Sequence, residues 1–214
     1  MSGARAVIFD MDGVIVDSEP RHERAFLEVV SGLGYGHNHG VELSKYIGKT
    51  DREVWVDFVQ RHQPPHTLEA LLAMKRERVL EILRKEQPLF EGLPELVERL
   101  AGRYKLGLAS GSEPLVVQEV LTFRGLRQFF SAVTTSSEVK HGKPAPDIFL
   151  RAAKLLEVHP EECWVIEDSK PGVAAGLAAG MRVIAITNTH PAAELGNATR
   201  VVSSYPEIAT ILLG

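Results

Sequence analysis

The apolar positions of this chain change rhythm twice. Residues 6–9, AVIF, form a short continuous apolar run of the kind that fills a buried strand. The run stops at Asp10, with Asp12 and Gly13 just beyond. From Ser18 to about Pro88 the spacing is helical: Ala25, Phe26, Val29 and Val30, then Val54, Trp55, Phe58 and Val59, then Leu68, Leu71 and Leu72, then Val79, Ile82 and Leu83. Thr50 with Glu53 suits a capping box ahead of the second group, while Gly32, Gly34, Gly36, Gly40, Pro64 and Pro65 mark loops.

From Leu89 onward the two patterns alternate. Helices are predicted over Leu93–Leu100, Pro114–Phe123, Pro146–Leu156 and Val173–Ala179. Strands are predicted over Lys105–Ala109, Ala132–Thr135, Trp164–Ile166 and Val183–Ile186, with an edge strand at Val201–Val202. Such alternation predicts an α/β fold, a Rossmann-like three-layer core with a mostly parallel sheet and helices on both faces. Residues 6–9 are too apolar to stand alone and must return to that sheet. The chain therefore reads as an α/β core of residues 1–17 and 89–214, with a small α-helical cap domain, residues 18–88, inserted after the first strand and placed as a lid over the edge that carries Asp10. No internal repeat or low-complexity segment interrupts this pattern.

Composition narrows the class. The 214 residues suit one domain with an insertion, and 44% hydrophobic residues supply a substantial core. A net charge of −4 and a pI near 6.1 leave no basic footprint for nucleic acid and point away from anionic membrane surfaces. A local group of Lys and backbone N–H groups would still accept a phosphorylated ligand. Cys163 is the single cysteine, so no intrachain disulfide forms, in keeping with a reducing cytosol; Trp164, Val165 and Ile166 beside it make it a core residue. The opening MSGARAVIFD has too short an apolar run for a signal peptide, and no stretch approaches the roughly 20 apolar residues of a membrane span. The expectation is a soluble cytoplasmic protein, monomeric by default, with no nucleic-acid or membrane partner.

Four polar clusters follow or border elements of the α/β part: Asp10 and Asp12; Ser110; Lys143 in HGKPAPD; and Glu167 and Asp168 in VIEDSKPG. Two carboxylates one residue apart, where a strand stops and a glycine lets the chain turn, project from the edge at which parallel α/β sheets do chemistry. In combination and order, the four clusters resemble those of the haloacid dehalogenase superfamily of phosphotransferases. The likeness is to its β-phosphoglucomutase/phosphatase-like branch, whose helical cap is inserted after the first strand, and it covers essentially the whole chain.

The resemblance implies a Mg²⁺-dependent phosphatase acting through an aspartyl phosphate. Asp10 would be the nucleophile, and Asp10, Glu167, Asp168 and the main-chain carbonyl of Asp12 the metal ligands, oxygen donors suited to a hard cation. The metal would offset the repulsion between carboxylate and phosphoryl group. Asp12 would protonate the leaving alkoxide and later take a proton from water. Dehalogenases of the superfamily lack an acid at that position, because halide leaves unprotonated. Ser110 would donate to a phosphoryl oxygen, and Lys143 would set its ammonium against Asp10. Asp147 reads as an N-terminal helix residue, with contact to Lys143 or the metal network as the alternative, and Ser169 as either a helix cap or a site residue. His37 and His39, in HNHG, read as loop residues and not ligands.

The cap should choose the substrate, through Lys49, Thr50, Asp51, Arg52 and Lys75, with His22 at the hinge helping to orient Asp12. A β-phosphoglucomutase holds a second phosphate with a lysine in its Ser-x-Ser-Lys stretch; this chain reads SGSEP, with Glu113 there, and Asp51 stands where that mutase has an arginine. The expected partner is a small phosphorylated metabolite, a sugar phosphate, and the expected activity its hydrolysis. The alternatives are a phosphosugar mutase of the β-phosphoglucomutase type and a non-catalytic phosphate-binding protein. Asp10, Asp12, Lys143 and Asp168 together weigh against the second of these.

Overall fold

The structure, a computed structural model, describes residues 3–46 and 51–214. In chain order its elements are β1 (Ala6–Phe9), α1 (Glu19–Gly32), α2 (Asp51–His62), α3 (Leu68–Glu86), α4 (Leu93–Ala101), β2 (Lys105–Ser110), α5 (Pro114–Thr122), β3 (Phe130–Thr135), α6 (Asp147–Leu156), β4 (Cys163–Glu167), α7 (Lys170–Ala178), β5 (Arg182–Ile186), α8 (Ala192–Leu195), β6 (Arg200–Val202) and α9 (Tyr205–Leu213). Two compact units result, one of Met1–Asp17 and Gln87–Gly214, the other of Ser18–Glu86. Both crossing segments are fastened to the α/β unit: Asp17 N donates to Pro88 O at 2.9 Å, and Val16 and Leu89 form an antiparallel bridge.

The α/β unit is built on a six-stranded sheet in the order β3-β2-β1-β4-β5-β6, with every pairing parallel. Helices cover both faces, as the alternating pattern predicts. Ala6 and Ile8 of β1 face a core shared with Ile148, Phe149 and Ala152 of α6 and Val173 and Ala175 of α7, and Cys163 lies fully buried within it. Alternation sends Val7 and Phe9 to the other face, where Phe9 meets Phe130 edge-on at 5.8 Å. α4 packs on β2 and on α9.

Some boundaries differ from the pattern. α7 starts at Lys170 instead of Val173, because Ser169 caps it by accepting from Gly172 N at 3.2 Å and Pro171 occupies its first turn, where a missing N–H costs nothing. β3 starts two residues early, at Phe130. α9 has no counterpart in the pattern analysis; Ile208, Ala209 and Leu212 give it a buried face.

The helical unit encloses its own core of Phe26, Val29, Val30, Val41, Trp55, Phe58 and Leu71. Its aromatic rings meet at short range, Phe26 and Trp55 at 4.8 Å and Trp55 and Phe58 edge-on at 5.4 Å. His39 Nδ1 accepts from Val41 N, and its carbonyl lies 2.8 Å from His62 Nε2, so it serves the fold of its loop. Thr50 of the expected capping box lies outside the described residues. Among the described residues, no helix is long and apolar enough to cross a membrane.

Candidate active site

Parallel strands end on the same edge, and the register fixes which residues gather there. Phe9 is level with Leu108 of β2 and Ile166 of β4, so Asp10, Ser110, Glu167 and Asp168 all emerge together. β1 is also where the chain order reverses, with β2 and β3 to one side and β4 to β6 to the other, the crevice where such sheets bind ligands. Asp10 N still donates to Ile166 O at 2.9 Å, which holds its side chain at the strand's last rung.

The chain then turns at once. Met11 O accepts from Ile15 N and Val16 N, and Gly13 takes a φ of +77° that other residues rarely adopt. A side chain at Gly13 would collide with the Asp168 carboxylate and the Thr189 methyl, so a bare backbone is required there. From the opposite direction Asn188 Nδ2 donates to Gly13 O at 2.8 Å, and the Tyr205 hydroxyl donates to Val14 O at 2.6 Å.

Charge is concentrated behind this turn. Lys143 Nζ lies 2.5 Å from Asp10 Oδ1 and 2.6 Å from Glu167 Oε1, and 5.0 Å from the Phe149 ring centroid. Glu167 Oε2 accepts from Asp168 N, Ser169 N and Ser169 Oγ. Asp168 Oδ2 accepts from Thr189 Oγ1. Burial lifts the Asp10 carboxyl well above the ordinary carboxylate range; Lys143 pulls it down, while Glu167, Asp12 and Asp168 raise it further. Burial and then Glu167 push Asp168 up to about 7 against the Thr189 bond and Lys143. Burial disfavours the Lys143 ammonium, but Asp10 and Glu167 more than offset this and raise its pKa.

Three buried carboxylates thus gather here, Asp10 and Glu167 paired with the Lys143 ammonium and Asp168 beside them, and each offers an oxygen within 4.8 Å of the others. An all-oxygen donor set with excess negative charge fits a hard divalent cation. Asp12 belongs to a neighbouring network: its Oδ2 accepts from Ser112 Oγ at 2.6 Å and Ser110 Oγ at 3.4 Å.

The structure brings Asp10, Lys143, Glu167 and Asp168 together, with Asp12 and Ser110 beside them. Asp147 is turned elsewhere, accepting from His141 N and pairing with its ring at 3.1 Å. In the helical unit Lys75 is buried, with Nζ 2.6 Å and 2.7 Å from the two Asp51 oxygens and a short bond to His22 Nδ1. Arg52 is exposed and lies 3.6 Å from Glu69. Lys49 lies outside the described residues. Ser112 is not among the site residues expected from the sequence, although its place two residues after Ser110 is a usable signal. Thr189, Asn188 and Tyr205 carry no such signal, since only the fold brings Asn188 to Gly13.

Comparison with known proteins shows the family. Residues 4–180 match the model of a hydrolase family, the haloacid dehalogenase-like hydrolases. The chain is 35% identical over 185 residues to the fructose-1-phosphate phosphatase YqaB of Escherichia coli K12, covering 83% of this chain and 94% of that one. It is 33% identical over 213 residues to hexitol phosphatase B of the same strain, covering 96% and 92%. The crystal structure of a putative β-phosphoglucomutase from Thermotoga maritima superposes with a TM-score of 0.80 at 28% identity, covering 98% of each chain.

Proposed function

The chain belongs to the haloacid dehalogenase-like hydrolases, and we propose from this that it is a Mg²⁺-dependent phosphatase hydrolysing a small sugar or sugar-alcohol phosphate through an aspartyl phosphate on Asp10. The observation that carries the reading is the Asp10–Lys143–Glu167 bridge, with Asp168 beside it, at the reversal point of the sheet. The sugar phosphatases among its relatives support the substrate class.

Asp10, Asp168 and Glu167, with the Asp12 main-chain carbonyl, would hold the metal. When bound, Mg²⁺ neutralises charge shared between the carboxylates and the phosphoryl oxygens, the chief obstacle to an anionic nucleophile attacking a phosphate. Lys143 fixes Asp10 in position and favours its ionised form against the burial that opposes it. An Asp10 oxygen then bonds to phosphorus as the bond from phosphorus to the sugar oxygen breaks, and Asp12 gives its proton to that oxygen. Ser110 and the N–H groups after β2 hold a phosphoryl oxygen. In the second half, Asp12 takes a proton from water as the water oxygen bonds to phosphorus and the bond to Asp10 breaks. The products are the free sugar and inorganic phosphate, and Asp12 ends protonated as it began. The helical unit, through His22, Lys49, Asp51, Arg52 and Lys75, selects the substrate.

The likeness to a putative β-phosphoglucomutase favours a second reading, a phosphosugar mutase. Against it stand Glu113 and the Lys75 ammonium, which Asp51 holds within the helical unit. Phosphate release from a panel of sugar and hexitol phosphates with Mg²⁺ tests the proposal. A run beside it asks for conversion of β-glucose 1-phosphate to glucose 6-phosphate with a bisphosphate primer. Release without isomerisation, abolished by Asp10→Asn in a folded protein, is expected. Isomerisation with little free phosphate would transfer the assignment to the mutase, and turnover by Asp10→Asn would overturn the nucleophile.

A further inference from the structure

Ser112 lies in the loop between β2 and α5, and it is there that the acid/base carboxylate is anchored. Its hydroxyl donates to Asp12 Oδ2 at 2.6 Å, while its own N–H donates to Ser110 Oγ at 3.0 Å. Ser110 Oγ stands 3.4 Å from the same Asp12 oxygen. The end of β2 and the loop after it therefore place two hydroxyls on one oxygen of a residue just past the end of a different strand. We infer that Ser112 is a positioning residue for Asp12, holding Oδ2 so that the proton exchanged with substrate and water is carried on Oδ1. The inference rests on the reading of Asp12 as acid and base.

The physical case is one of rotamers and of hydrogen-bond capacity. An aspartate just past a strand end turns about two side-chain bonds, and a general acid works only within hydrogen-bond reach of the oxygen it protonates. A hydroxyl donating to Oδ2 restrains the carboxyl group and remains a partner through the whole cycle. When Asp12 is ionised, Ser112 donates to Oδ2. When Asp12 is protonated on Oδ1, Oδ2 is a carbonyl-type oxygen that accepts the same bond. The proton thus leaves Oδ1 for the departing sugar oxygen and returns to Oδ1 from water, with no reorientation of the carboxyl group between the two steps. Beside its role at the phosphoryl oxygen, Ser110 is also the acceptor that holds Ser112.

The test uses a difference in leaving groups. kcat/KM reports the steps up to transfer of the phosphoryl group to Asp10. An alkyl leaving group needs a proton in that transfer and 2,4-dinitrophenolate does not. The two substrates are the fastest-hydrolysed sugar or hexitol phosphate of the panel and 2,4-dinitrophenyl phosphate. Ser112→Ala is expected to lower kcat/KM for the sugar phosphate about 10- to 100-fold, a fraction of a general acid's usual contribution, and for the aryl phosphate less than about threefold. Ser112→Thr, which keeps the hydroxyl, restores the sugar phosphate rate. Asp12→Asn gives a larger split of the same kind, and adding Ser112→Ala to it changes nothing more. An equal loss on both substrates in Ser112→Ala, beside a clear split in Asp12→Asn, would overturn the positioning role and leave the reaction intact. No split in Asp12→Asn would remove the acid role of Asp12 itself, and the inference with it.

Discussion

The Tyr205 hydroxyl donates to the carbonyl of Val14 across 2.6 Å, and Asn188 Nδ2, 3.0 Å from the same hydroxyl, donates to Gly13 O at 2.8 Å. The last helix therefore pins the turn that follows the two aspartates. Tyr205→Phe keeps the ring and removes the hydroxyl, leaving a buried carbonyl short of a donor. A cost of about 1–3 kcal/mol is expected, read as a lower urea midpoint with unchanged slope, together with a fall in kcat. An unchanged midpoint would show that the hydroxyl holds nothing.

Lys143 is the sole cation in direct contact with Asp10 and Glu167 among the described residues. Lys143→Met preserves bulk and leaves buried carboxylates without a counter-charge, a loss of about 3–5 kcal/mol for a broken buried pair. The thermal midpoint should drop in EDTA and recover in part with added Mg²⁺, while turnover stays abolished. Wild-type turnover in the variant would rule out the role given to this ammonium.

Gly172 sits in the first turn of α7 directly over Glu167, and a methyl there would overlap the Glu167 carboxylate. Helix propensity favours alanine by about 1 kcal/mol, but the carboxylate must move and take its contact with Lys143 along. Gly172→Ala should therefore cost activity by about 100-fold, the scale set by misplacing a reacting group by roughly 1 Å. Gly32→Ala, which meets nothing within 4 Å, is the control and should leave kcat alone. Equal activities in the two variants would place Glu167 outside the site.

Burial, and after it Glu162 and Glu161, push the Cys163 thiol from 9.0 up to about 11, although Arg182 pulls the other way. Its Sγ faces His159 O at 3.4 Å inside the core. Below pH 9 the thiol is neutral in both folded and unfolded chains, so its contribution to stability is intact. Between pH 9 and 11 the unfolded chain ionises first, and stability falls as pH rises. Denaturation midpoints of the wild type should decline more steeply over that interval than those of Cys163→Ala. At pH 8 a thiol reagent should label the native protein only after denaturant is added; rapid labelling of the folded form would contradict the burial.

How far the pattern reaches can be judged from particular elements. Residues 6–9 were recognisable because β1 is central, flanked by β2 and β4, and must be apolar on both faces. Asp10, Lys143, Glu167 and Asp168 stood out because each borders an element where polar residues interrupt apolar runs. Lys75 stood out as a cap candidate, but its burial did not, since its helical spacing looks like that of a solvated lysine. Only the fold shows that it is buried against Asp51 and His22. Ser112 and Tyr205 act across 100 and 191 residues of chain, on Asp12 and Val14, and no local periodicity encodes a partner at that separation. α9 escaped because nearly every residue of its apolar tail fits a strand as well as a helix.

The order in which the sheet can be completed follows from the register of β1. Ala6 lies level with Lys105 on one side and Cys163 on the other, so during synthesis β1 gains its first neighbour only when β2 emerges and its second only when β4 does. Until then its apolar face has no native partner, while the helical unit between can close around Phe26, Trp55 and Phe58 by itself. Assembly during synthesis therefore runs from the inserted helices outward to the strand that precedes them. Nascent chains stalled before Cys163 should hold a protease-resistant helical unit and an α/β unit open to digestion, with chaperone demand concentrated on this long-range closure.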